Sequence, residues 1–165
     1  MSVRRAHAVI FLVVAVLVAA GCRPKAAPAP PPPVVHQSSS ATIQAVFNAH
    51  ENLTGFDYQP DVGASMAAQW VANVNASSSA CGPLLHSSGA QLLAWYPGGG
   101  GENLFCWYLP SGCATGQTAA NAAVNAWIAS PPHFSVMQQF RNRYLGVGAS
   151  CRNGTTLFVV AHFRY

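Results

Sequence analysis

Hydrophobic residues recur at helical spacing in three parts of the chain. One run begins at Ala41, one at about Asp61 and one covers residues 118–130. Apolar residues that return every three or four positions form one face of an amphipathic helix. Ser130 is a good N-cap and prolines follow it, so residue 130 predicts the start of a fourth helix. The predicted buried faces are Ile43, Val46, Phe47, His50 and Leu53; Val62, Met66, Ala67, Trp70, Val71 and Val74; Ala120, Ala123, Val124, Trp127 and Ile128; and Phe134, Met137 and Phe140.

The pattern changes to that of β-strands near the C-terminus. Leu145 and Val147 lead into a strand, Asn153-Gly154 is a strong hairpin signal, and residues 156–164 are apolar on both alternating faces. A strand of this kind is covered by other layers on both sides. The sequence therefore predicts an α/β protein, a three-layer α/β/α sandwich with a small, mainly antiparallel central sheet.

The first 40 residues follow neither pattern. Arg4 and Arg5 precede an apolar run, Ala8 to Ala20, whose 13 residues are too few to span a bilayer as a helix and are typical of a secretory signal. Residues 23–40 are rich in proline and serine, which predicts an extended spacer. The expected organisation is a signal peptide over 1–21, a lipidated cysteine and Pro-rich linker over 22–40, and one domain over 41–165.

The end of the apolar run resembles the lipobox of bacterial lipoproteins in the segment Ala19-Ala20-Gly21-Cys22. This resemblance implies that the signal is cut before Cys22 and that its thiol carries a diacylglycerol. Two or three acyl chains would anchor the protein stably in a membrane. An ordinary secretory signal is the alternative. We expect a membrane-anchored lipoprotein on the extracytoplasmic side of the cell envelope.

Charge is concentrated before the domain. The chain has a formal net charge of +4, but four arginines and four acidic residues cancel between residues 41 and 165. A nucleic-acid-binding domain needs a basic footprint to displace counterions from phosphates, so this class is excluded. The few charges favour a neutral small molecule, a lipid or an envelope component as partner, and we expect a monomer.

Four cysteines remain in the domain once Cys22 is assigned to lipid. Their even number and the absence of zinc-finger spacing predict two disulfides and an oxidising compartment. Three pairings are open. Cys106 and Cys113 enclose a short loop, which favours a bridge between them and leaves Cys81 to pair with Cys151.

Five motifs in order resemble the CAP superfamily, also called the SCP-like or pathogenesis-related-1 domain. The resemblance runs from about Thr42 to Tyr165. The segments that carry it are Asn48-Ala49-His50 with Ala67 to Trp70, His86, Gly101-Glu102-Asn103, Trp127 with Ser130-Pro131-Pro132-His133, and Leu145-Gly146-Val147-Gly148.

The resemblance implies an α/β/α sandwich with a central cleft that is lined by two histidines and two glutamates. His86 and His133 match the two imidazoles, which bind zinc in some members, and Glu102 matches one carboxylate. Ser130 stands where the family has its second glutamate. A position near a helix N-terminus also favours the neutral, metal-binding form of His133, because the helix dipole opposes a positive charge there.

Three functions follow from these residues. The first is a secreted, lipid-anchored binding or interaction module with a zinc site at His86 and His133. The second is a metal-dependent peptidase or esterase in which Glu102 is catalytic and zinc activates water. The third is a lipid or sterol binder. Loss of the second glutamate at Ser130 argues against catalysis, and a purely structural hydrogen-bonded cluster is the alternative to a metal site.

Other candidate residues are assigned to the fold. His50-Glu51 begins like a metalloprotease helix, but Thr54 stands where the second histidine is needed, so we expect His50 to be a hydrogen-bonded core histidine. The glycines at 98–101 predict a flexible turn before Glu102. The aromatic residues that flank Glu102 either line a ligand groove or fill the core; they are Trp95, Tyr96, Trp107 and Tyr108.

Overall fold

The computed structural model describes residues 36–37, 40–78 and 81–165. The predicted signal peptide and the predicted lipidation at Cys22 lie outside these residues. No helix in the described part is long and apolar enough to cross a membrane. The elements are β1 His36–Gln37, α1 Ser40–Thr54, β2 Gln59–Pro60, α2 Val62–Ser78, α3 Gly89–Trp95, β3 Gly100–Tyr108, α4 Gly116–Ile128, α5 Pro131–Gln139, β4 Tyr144–Arg152 and β5 Thr156–Arg164.

The central sheet has the strand order β1-β4-β5-β3, with β2 also paired to β4. All pairs are antiparallel except β2 with β4. The hairpin predicted at Asn153-Gly154 connects β4 and β5, and both residues have positive φ angles there. Strand β3 lies at the end of this order, so one of its edges is not hydrogen-bonded to another described strand. The predicted α/β/α sandwich is confirmed.

The register assigns each side chain of the sheet to one of two faces. Residues that are directly opposite in neighbouring strands point to the same face. Glu102, His162 and Gly146 share one face, which α2 covers. Their chain neighbours point to the other face, where α1 and α4 pack around Trp127. The two helical layers therefore meet alternate residues of the same strands.

Helix α2 approaches the sheet closely because β4 presents two glycines to it. A Cβ atom at Gly146 would lie 2.1 Å from the carbonyl carbon of Ala64, and one at Gly148 would lie 2.2 Å from the backbone nitrogen of Gln69. Only a face of small residues fits against such a surface. The buried residues of α2 are Ala64, Ala68, Val71, Ala72, Asn75 and Ala76.

The predicted buried face of α2 is therefore wrong for its largest residues, although Val71 is buried as predicted. Val62, Met66 and Trp70 step by four along the helix, but their exposed fractions are 79%, 71% and 50%. The large apolar residues have no space at the glycine surface, so they lie on the outer side of the helix. By contrast, the predicted buried face of the run over residues 118–130, which forms most of α4, is confirmed for Ala120, Ala123, Val124 and Trp127.

The predicted disulfide partners are also wrong, although all four cysteines are disulfide-bonded. Cys81 pairs with Cys106, and Cys113 pairs with Cys151. In the sheet register Cys106 lies opposite Phe158 and Cys151 opposite Leu157, so these two cysteines point to opposite faces. Cys81 follows α2 and Cys113 precedes α4. Each bridge therefore connects the sheet to the helical layer on that cysteine's own side.

His50 belongs to the core, as expected, but its hydrogen-bonding groups are not satisfied. The side chain is fully buried among the rings of Tyr58, Trp127 and Phe163, with centroid distances of 5.4, 5.4 and 5.7 Å. Neither ring nitrogen has a hydrogen-bond partner within the described part of the chain. Burial lowers the pKa of His50 from 6.5 to about 3, since a positive charge would be desolvated there.

This burial predicts an acid-sensitive fold. Below pH 6.5 the unfolded chain takes up a proton at His50 that the folded chain binds only near pH 3. The contribution of His50 to the free energy of unfolding is fully present above pH 6.5. Below that pH it falls by about 1.4 kcal/mol per pH unit. We expect His50→Phe to flatten the dependence of the unfolding free energy on pH between 7 and 4 by about this slope, as measured by urea unfolding.

His36→Phe is the control, because His36 pairs with Cys151 near one end of β4, whereas Phe163 of the His50 cluster pairs with Leu145 near the other end. His50→Gln serves as a second variant in case phenylalanine does not fit. If the unfolding free energies of wild type and of both His50 variants depend on pH in the same way, the low pKa that we assign to His50 is wrong.

Candidate functional site

The predicted site residues come from three parts of the fold that meet around the edge strand β3. Glu102 is in the first half of β3 and is buried, with 8% exposure. His86 lies in the connection between α2 and α3, and its side chain is 52% exposed. His133 is the third residue of α5, the place in the helix that the sequence predicts.

Two local hydrogen-bond patterns hold the segment that carries His86. On its N-terminal side, the buried amide of Asn75 in α2 accepts from Leu85 N at 2.8 Å and donates to Leu85 O at 3.0 Å. On its C-terminal side, Ser88 and Gln91 form a capping box that starts α3. Helix α3 was not among the predicted elements, although the spacing of Ser88 and Gln91 is typical of a capping box. His86 is therefore held between two anchored points.

The carboxylate of Glu102 receives four hydrogen bonds. Oε1 accepts from His86 Nδ1 and from the backbone N–H of Ser87, each at 2.9 Å. Oε2 accepts from the Ser87 hydroxyl at 2.6 Å and from His162 Nε2 at 2.8 Å. An ionised carboxylate has about four lone-pair sites. All of them are occupied, so Glu102 has no free lone pair and orients the side chains that donate to it.

His162 is the functional residue that sequence analysis missed. It is fully buried in β5, directly opposite Glu102 in the register, and its Nδ1 lies 2.9 Å from the hydroxyl of Tyr96. Because the carboxylate only accepts, the Nε2 of His162 carries a proton. A lone histidine within a strand that is apolar on both faces was the available signal.

Opposing effects set the pKa of Glu102. Burial alone would raise its pKa, but the hydrogen bonds from His162 and Ser87 outweigh burial and hold the pKa below the ordinary value of 4.5. Glu102 is therefore ionised at neutral pH. Its charge orients the Nδ1–H of His86 and leaves the Nε2 of that ring facing away from the carboxylate.

His133 has a separate partner on the other side of β3. Its Nδ1 lies 2.8 Å from the hydroxyl of Ser130, and its carbonyl accepts from Asn103 Nδ2 at 3.1 Å. Burial lowers the pKa of His133, and the charge of His86 lowers this pKa further. Both imidazoles are thus positioned through Nδ1.

The imidazoles of His86 and His133 are the candidate metal ligands of this site. The Nε2 atoms of His86 and His133 make no hydrogen bond to the described residues, so each can offer a lone pair, as zinc requires. Glu102 does not fit as a third ligand, because a bond to metal would displace one of its four partners. The described residues contain no group of three or more His, Cys, Asp or Glu side chains that could hold a metal.

The chain is thus an α/β/α sandwich with two disulfides and a histidine-lined edge. Residues 44–163 match the model of the CAP family, described as the cysteine-rich secretory protein family. This match covers well over half of the chain, and the protein belongs to the CAP family. No curated protein matches it individually. Family membership and the disulfides indicate an extracellular type of interaction domain.

The saturated carboxylate predicts a large stability loss when it is removed. Glu102→Ala leaves the buried Nε2–H of His162 and the donors of Ser87 without an acceptor. We expect the unfolding free energy at pH 7 to fall by about 3–5 kcal/mol, the usual cost of removing one partner of a buried charged pair. Urea unfolding measures this loss. Glu51→Ala in α1 is the matched control, and an equal loss in both variants would contradict the assigned role.

Proposed function

We propose that this protein is a lipid-anchored, extracytoplasmic binding module whose recognition site is the cleft formed by His86, Glu102 and His133. The observation that carries the proposal is the saturation of the Glu102 carboxylate. A general base or a water-activating carboxylate needs a free lone pair that reaches the reacting proton. Glu102 has none, whereas His86 is half exposed.

The cleft therefore favours binding through oriented imidazoles over hydrolysis. Each ring has its Nδ1 fixed, by Glu102 for His86 and by Ser130 for His133, and its Nε2 available. Partners that fix one ring nitrogen in this way are typical of metal-binding histidines. In the proposed site His86 and His133 hold zinc through Nε2. Bound zinc would act as a Lewis acid that binds a ligand's oxygen or nitrogen atom.

The proposed anchor complements this role. Lipidation of Cys22 places the domain outside the cytoplasmic membrane, where the two disulfides are stable. Because residues 36–37 pair with β4 in the sheet, the linker is left with residues 23–35 and would reach about 40 Å if it is extended at ~3.1 Å per residue. The domain would then meet neutral small molecules, lipids or envelope components as a tethered monomer.

Zinc binding tests the cleft. We expect the purified protein to take up zinc at about micromolar concentration, as measured by isothermal titration calorimetry and metal analysis. His86→Ala and His133→Ala should each weaken this affinity by about tenfold or more, because each removes one of two protein ligands. His36→Ala is the matched control in β1. A protein that binds no zinc, or unchanged binding in both cleft variants, would rule out the metal site.

A second experiment tests the anchor in a bacterial host. We expect the wild-type chain to fractionate with membranes and to carry the mass of a diacylglyceryl group on Cys22. Cys22→Ser should release it, because the thiol that takes the lipid is missing. Gly21→Ala keeps a small residue before the cysteine and should behave as wild type. Retention of Cys22→Ser in the membrane would show instead that the apolar run stays as an uncleaved anchor.

A further inference from the structure

A cavity of about 440 Å³ lies apart from the histidine cleft. It is bounded by the start of α2, the end of α3, the turn that follows α3 and the last residues of the chain. Neither His86, Glu102 nor His133 lines it. Cavities of about 300–1,000 Å³ are the usual size for small-molecule sites. The charged and aromatic side chains that line it are Asp61, Trp95, Tyr96, Arg164 and Tyr165.

One wall of the cavity is an ion pair with spare hydrogen-bonding capacity. Asp61 caps α2 by accepting from Ala64 N at 2.6 Å, and its other oxygen accepts from Arg164 Nη2. Arg164 also donates to the Tyr165 carbonyl at 3.3 Å. A guanidinium has five N–H donors, so others remain for a ligand. The hydrogen bond from Arg164 holds the pKa of Asp61 below its ordinary value, and the pair carries no net charge.

Aromatic rings with fixed orientations form the other walls. Trp95 packs edge to face with Trp70 at 5.9 Å and lies 5.6 Å from the ring of His162. Tyr96 is held through its hydroxyl by His162 at 2.9 Å. Tyr165 is 45% exposed and packs on Phe140 at a centroid distance of 4.8 Å. The cavity is therefore built in advance of binding.

The ion pair and the aromatic rings together determine which kind of ligand fits the cavity. An apolar molecule would desolvate the ion pair without replacing its hydrogen bonds to water, which is costly. An anion attracted by Arg164 is repelled by Asp61, and a cation attracted by Asp61 is repelled by Arg164, so neither gains a net attraction from the pair and each loses hydration on entry. A neutral ring with several hydroxyl groups avoids both costs, because hydroxyls donate to the carboxylate and accept from the guanidinium. Its C–H groups pack on aromatic faces, which are electron-rich.

We propose that this cavity, formed around Asp61, Arg164, Trp95 and Tyr165, binds a neutral saccharide unit. The site is separate from the histidine cleft, although Tyr96 borders it and His162 lies between Tyr96 and Glu102. It needs no metal. Saccharide binding would be a second recognition function of the same domain.

The test uses the full chain in a detergent without sugar head groups. The probes are methyl β-glucoside, maltose and N,N′-diacetylchitobiose, with glucuronate and glucosamine as charged counterparts. Saturation-transfer NMR and calorimetry should show a dissociation constant of about 1–10 mM for at least one neutral probe, and binding at least about fivefold weaker for both charged sugars.

Two variants block the site by different means. Ala67→Leu extends a side chain from α2 into the cavity, and Arg164→Gln removes the charged donors. We expect each to weaken the binding of the neutral probe by about tenfold or more. Ala126→Leu is the matched control, since Ala126 is exposed on α4 and does not line the cavity. Circular dichroism and thermal unfolding check that the variants are folded.

Four results would overturn the proposal. They are no saturation transfer from any neutral probe at about 50 mM, tighter binding of a charged sugar, unchanged binding in both folded blocking variants, and loss of binding in a His86→Ala/His133→Ala double variant. The last result would place the saccharide in the histidine cleft. Retained binding in the double variant supports a separate cavity whatever the outcome of the zinc experiment.

Discussion

The buried carboxylate of Glu102 is the constraint on which the candidate site depends. It lies on the edge strand and takes hydrogen bonds from the segment before α3 and from β5. A carboxylate in such a position is stable only if its charge is compensated by donors. The same bonds that keep Glu102 ionised fix His86. Stability and the orientation of a candidate ligand-binding imidazole therefore rest on the same interactions.

The two sides of β3 are organised differently around this carboxylate. His86 depends on Glu102, and through it on His162 and Tyr96, whereas His133 depends on the hydroxyl of Ser130. The serine that replaces a second glutamate in the family pattern thus still contacts the imidazole. A hydroxyl supplies a hydrogen bond without a second negative charge. The candidate site therefore has one carboxylate that orients His86 and one hydroxyl that contacts His133.

Much of the candidate site could be predicted from sequence because its motifs are local. Glu102 and His133 each stand in a short segment whose neighbours mark them, and Ser130 with its prolines predicted the start of α5 correctly. His162 carries no motif, and its role depends on lying opposite Glu102 in a register between strands that are 60 residues apart along the chain. The short capping box of α3 was readable but was overlooked.

Sequence by itself determined the layers of this protein, because helical and strand periodicities are properties of neighbouring residues. It also determined that four cysteines would be oxidised and that the domain would carry no net charge. Tertiary structure alone decided which face of α2 is buried and which cysteines are joined. The glycines of β4 admit only small residues, and alternate strand residues meet different helical layers. Neither constraint can be recognised until the pairing of the strands and the helices that cover them are known.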